Sequence, residues 1–107
     1  MTLDKAWKLR QVPSGLEVGI KGALKVLHDF VFGDLRLPNV IVMKNQEIML
    51  VDFHWAGKHG TSQYPLLMSP NIQWPAGVGP LSIMDKRHDN AMLKQLLEFV
   101  KTDPGAR

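Results

Sequence analysis

Two runs of β-branched and aliphatic residues, 40–43 (Val-Ile-Val-Met) and 48–53 (Ile-Met-Leu-Val-Asp-Phe), are separated by only Lys44, Asn45, Gln46 and Glu47. Short apolar runs across so short a gap read as a β-hairpin. Asn45 is the residue of the gap that most readily takes the left-handed conformation a tight turn needs. A lone two-stranded hairpin is marginal in water and needs a helix beneath it. The rest of the chain therefore has to supply helices.

Two stretches do so. Leu16, Ile20, Ala23, Leu24, Leu27 and Val31 fall on one face at helical spacing. Glu17, Lys21, Lys25 and Asp29 fall mostly on the other, so the pattern predicts a helix over 16–30. Ser14 and Glu17 form a Ser-x-x-Glu capping box at its start. Gly19 and Gly22 weaken the helix, by about 1 kcal/mol each relative to alanine, but allow another element to approach closely. His28 sits near its end, where a partly charged imidazole suits the helix dipole. Met92, Leu93, Leu96, Leu97 and Val100 make a second stripe, predicting a helix over 84–100. Asp85 is placed to cap it and Asp89 to add negative charge to its first turn. Asp103-Pro104-Gly105 end it, and the tail from Thr102 is expected to fray.

The remaining segments carry weaker patterns. In residues 1–13, Trp7, Leu9 and Val12 are apolar at near-alternate positions, which suggests an extended arm closed by Pro13. Residues 55–80 are rich in glycine and proline and read as one long irregular loop, a type that is usually functional or mobile. Tyr64 to Met68 and Ile72 to Pro75 are expected to anchor it on the core. Gly77-Val-Gly79 lacks the flanking strand and helix of a phosphate loop.

Charge and composition narrow the function classes. The chain has 107 residues, net charge +3 and 45% hydrophobic residues, in keeping with one ordinary domain over 1–107. Its basic residues are scattered, without the blocks typical of nucleic-acid tails, so nucleic acid is not the expected partner. There is no cysteine, hence no disulfide and no thiolate metal site. No run is apolar and long enough for a signal peptide or a membrane span, so a cytoplasmic protein is expected. The spacing of His54 and His59 is not the four-residue step of a helical metal-binding pair, and His88 beside Asp89 reads as a local hydrogen-bonded pair at a helix start. Trp55 and Trp74 suit either ligand stacking or stapling of the loop, with stapling favoured. No serine has the context of a nucleophile elbow.

The polar residues around the hairpin carry the sharpest chemical signal. Asp34 and Asn39 bracket a short loop, and Asp52 follows the apolar part of the return strand. The hairpin would bring Asp52 back beside Asn39. A carboxylate and an amide oxygen side by side can hold a hard cation such as Mg²⁺. A further carboxylate outside the metal site can accept a hydroxyl proton.

Asp34-Leu-Arg-Leu-Pro-Asn39, a hairpin, then Asp52-Phe53 resembles the catalytic core of the protein-kinase-like superfamily. Gly33 before Asp34 looks more like its aminoglycoside-phosphotransferase-like branch. Phe-Gly-Asp-Leu-Arg, Val-Asp-Phe-x-Trp-Ala-Gly, Tyr-Pro and Arg-His-Asp are also similar to fungal kinase-like proteins. The resemblance covers residues 16 to 100. It implies an α+β fold, a reduced kinase-like C-lobe of helix, β-hairpin, long loop and helix. It also implies Asp34 as the proton-accepting carboxylate, Asn39 and Asp52 as Mg²⁺ ligands, and Arg36 near the transferred phosphoryl of ATP. A solvated surface arginine is an equal reading of Arg36.

The departures shape the functional expectation. Phe32 stands where the family has a bracing histidine, and His54 where a glycine or second acid is expected. Only about thirty residues precede the motif, too few for an N-lobe of five strands at ~5–6 residues each. No Gly-rich loop and no Val-Ala-x-Lys strand is present. The first expectation is a non-catalytic interaction module of kinase ancestry. A protein partner or second copy would cover the face left by the missing N-lobe. The alternative is an ATP- and Mg²⁺-dependent phosphotransferase core completed by another chain or a longer parent.

Overall fold

Leu16, Ile20 and Leu24 recur every fourth residue and are buried, and they build α2 (Leu16–Val26). This helix lies under the predicted hairpin, formed by β2 (Val40–Val42) and β3 (Ile48–Leu50) in antiparallel register with Ile41 opposite Met49. Gly19 makes the approach possible: a Cβ there would sit 2.5 Å from Ile48 Cγ1. The structure is a computed structural model and describes residues 1–106.

Several boundaries differ from expectation for local physical reasons. The helix ends at Val26 rather than Phe30, because His28 takes a left-handed φ of 53° and turns the chain out. Its start has no Ser14–Glu17 box: Gly15 is the N-cap and makes no side-chain bond, while Glu17 pairs with Lys21 at 2.6 Å. In the hairpin turn Gln46, not Asn45, is left-handed, with φ 72°. Asn45 serves the turn through its side chain, which accepts from the Glu47 amide at 3.0 Å.

The expected extended arm is instead a helix, α1 (Leu3–Lys8). Its apolar spacing is Leu3, Ala6 and Trp7, all buried, a helical triplet. Thr2 caps it by accepting from the Lys5 amide at 3.2 Å. A helix this short is not stable alone; it holds because its apolar face docks on the core. Trp7 also donates to the Thr102 carbonyl at 3.0 Å. Arg10 pairs with Asp103 at 2.7 Å, so the tail expected to fray is tied back through a turn at Pro104–Ala106.

The long segment after the hairpin is pinned more closely than its composition suggests. Within it β4 (Gly57–Lys58) pairs with β1 (Phe30–Val31), making a second two-stranded antiparallel sheet, and Gln63 bridges Ile83. Trp55 and Trp74 stack on each other with centroids 5.4 Å apart, as stapling requires. Of the expected anchors, Tyr64 is buried, whereas Leu66 and Leu67 point to solvent.

The chain closes with α3 (Lys86–Val100). Asp85 caps it as expected, accepting from the Arg87 amide at 2.8 Å. His88 does not pair with Asp89. Its Nδ1 accepts from the Asp85 amide at 3.2 Å and lies 2.9 Å from the Tyr64 hydroxyl. Together the elements make an α+β domain of three α-helices and two small sheets, its main core lying between α1, α2, the hairpin and α3. Among the described residues no helix is long and apolar enough to cross a membrane.

The cap carries a pH dependence. The Arg87 guanidinium bonded to Asp85 holds its carboxyl well below the ordinary aspartate value of 3.8. Asp52 and Asp103 are also lowered, by bonds to His54 and to the Gly105 amide respectively. A depressed folded value means that stability is present above 3.8 and is lost as pH falls below it. The urea midpoint is expected to drop in that acid range, and Asp85→Asn to flatten the drop.

Candidate functional site

The loop between β1 and β2 is built on a left-handed glycine. Gly33 has φ 81°, a conformation that costs glycine nothing. Just before this turn come the consecutive amides of Phe32 and Gly33. Both donate to one carboxylate, that of Asp89 on α3, at 2.8 and 2.9 Å. Asp89 is 2% exposed. Burial raises its carboxyl pKa, while the two amide bonds pull the other way. It stands in the first turn of α3, as expected, and there it also braces the loop. The sequence carries a signal for this: Asp89 sits on the apolar stripe of Met92, Leu93 and Leu96, at steps of three, four and seven.

Asp34 follows at once and is buried. Asn39 clasps the loop from its other end, its Nδ2 donating to the Asp34 carbonyl at 2.9 Å. The amide oxygen of Asn39 is thereby left as the group available to a ligand. Arg36 closes on the Asp34 carboxylate, with Nε 2.6 Å from Oδ1 and a second nitrogen 3.4 Å from Oδ2. The pair leaves the Arg36 side chain 36% exposed.

The hairpin brings Asp52 home as expected. The Val51 amide donates to the Asn39 carbonyl at 2.9 Å, setting Asp52 one residue past Asn39 across the sheet. Asp52 leaves the strand with φ 67°, a strained conformation for aspartate. Its carboxylate is 2.7 Å from His54 Nδ1, and that bond holds its pKa below the ordinary value, with Arg36 adding to the effect. Phe53 turns back and meets Phe32 edge to face at 5.1 Å. Phe32 is fully buried and anchors the loop by packing.

Asp34, Arg36, Asn39 and Asp52 thus share one corner of the molecule. No protein-family model, curated protein or solved structure matches the chain. Among the described residues no three His, Cys, Asp or Glu side chains converge on a point, so His54, His59 and His88 form no metal cluster. Asn39 and Asp52 offer two hard oxygens. That set suits Mg²⁺ only where phosphate oxygens and water complete its octahedron.

Proposed function

We propose that this chain is a kinase-like lower-lobe module, non-catalytic by itself, that works by binding a protein partner or a second copy. One observation carries the reading: the hairpin is apolar on both faces. Val40, Val42 and Leu50 point inward and are buried, while Met43 and Met49 point outward and are exposed, beside half-buried Ile41 and Val51. A sheet face meant for water alternates apolar with polar residues. An apolar outer face fits a surface that another chain covers. The closure of Arg36 on Asp34 supports the non-catalytic half of the reading.

The experiment is sedimentation velocity over a concentration series, beside titration with Mg²⁺ and ATP. Expected are association that Met49→Glu abolishes and no Mg²⁺-dependent ATP binding. A monomer at every concentration that captures no partner through this face would sink the proposal.

The second reading, a phosphotransferase core that Mg²⁺ and ATP occupy once another chain completes it, is favoured by the Asn39 clasp and the Asp89 brace. Both hold the loop in a fixed shape although Asp34 is engaged. Saturable Mg²⁺-dependent ATP binding that Asp52→Ala loses would decide for it.

A further inference from the structure

The antiparallel pair α2 and α3 leaves a recess that neither reading above uses. Two cavities of about 590 and 240 Å³ lie along it and share Lys21 and Asn90 in their linings. Lys25 faces Lys86 at one end, and Glu17 faces Lys101 at the other. Five lysines line the recess: Lys21 and Lys25 from α2, Lys86 and Lys94 from α3, and Lys101 at its C-cap. Much of the chain's +3 excess is gathered here.

The opposing carboxylates are mostly committed. Asp89 is turned to the Phe32 and Gly33 amides, and Glu17 is bonded to Lys21. Glu98 stands at the far rim. Lys25, Lys94 and Lys101 are exposed and take no carboxylate into an ion pair among the described residues. Leu24, Leu93 and Leu97 form the floor between the lysine rims.

We infer that the α2–α3 groove is a docking site for an acidic, amphipathic peptide segment of a partner protein. The geometry selects this occupant. The lysines are strung along α3 from Lys86 to Lys101, about 22 Å at the helical rise, rather than converging on one point as a phosphate site would require. They flank an apolar floor in a recess, where a bilayer surface would meet a protruding patch. A segment with glutamate on its flanks and leucine toward the floor pairs both features. The groove lies apart from Met49 and the hairpin face, so it stands or falls separately from the proposed function.

The test uses a fluorescein-labelled peptide of about four helical turns, leucine on one face and glutamate on the others. Binding to the full chain is read by anisotropy. Expected is saturable binding that weakens about tenfold or more on raising salt from low to several times physiological strength, and likewise in Lys25→Glu/Lys94→Glu. Lys44→Glu, a reversal at the remote hairpin turn, should leave it unchanged. Circular dichroism confirms that each variant folds. No binding by the native chain, or equal loss in the Lys44 variant, overturns the proposal. So does stronger binding, lost in the same double variant, to anionic phospholipid vesicles or to inorganic phosphate.

Discussion

Asp89→Ala is expected to destabilise the domain by about 3 kcal/mol, because it leaves two buried amide donors without an acceptor. Those donors are the Phe32 and Gly33 amides, each bonded to Asp89. Relief of a buried charge offsets part of the loss, since burial already raises the Asp89 carboxyl. Asp89→Asn preserves the size and one acceptor but turns an NH₂ toward the other amide, so it should lose less than alanine. Urea unfolding gives the difference, and hydrogen exchange at the Phe32 and Gly33 amides locates it. A shift within about 0.5 kcal/mol, the range of an ordinary surface substitution, would refute the brace. The pH dependence has the opposite sign to that of Asp85. A raised folded value means that the stability Asp89 contributes is greatest in acid and declines as pH rises through that value.

Phe32→Ala is the second large effect, about 3–5 kcal/mol. Phe32 has no exposed surface and belongs to the main core cluster. Its edge-to-face partner Phe53 is half-exposed and holds the segment after Asp52. Truncation therefore leaves a cavity and frees that segment together. Chemical denaturation measures the first consequence, and backbone order at Asp52 and Phe53 by NMR relaxation the second. A loss under about 1 kcal/mol would mean that the loop is held by the Asp89 bonds alone. The pair of variants separates two supports of the same turn, one polar from α3 and one apolar from within the loop. Their double mutant should lose less than the sum if both act on one unit.

The elements that depend on local spacing were legible. The hairpin follows from two β-branched runs across a short gap, and α2 and α3 from four-residue steps of leucine, isoleucine and methionine. Asp85 as a cap needed only its position before the helix. The order Asp34, Asn39, Asp52 also placed Asp52 near Asn39 along the backbone, because the hairpin's register brings Asn39 opposite Val51.

The structure departs from expectation where packing, rather than local pattern, decides. The near-alternate Trp7, Leu9 and Val12 mask the helical triplet Leu3, Ala6 and Trp7 of α1, and a six-residue helix exists only through its docking. Arg36 could not be assigned to Asp34 from spacing alone, since a flexible guanidinium takes whichever carboxylate the fold presents. Asp89 and the loop it braces are more than fifty residues apart, with separations of 57 and 56. By itself the sequence determined α2, α3, the hairpin and the succession of polar groups around it, because these rest on periodicity and short-range hydrogen bonds. Only the tertiary structure decided that one carboxylate holds a loop more than fifty residues away and that the lysines of two helices line one groove. Each of these depends on where distant segments pack, and packing is what local pattern does not encode.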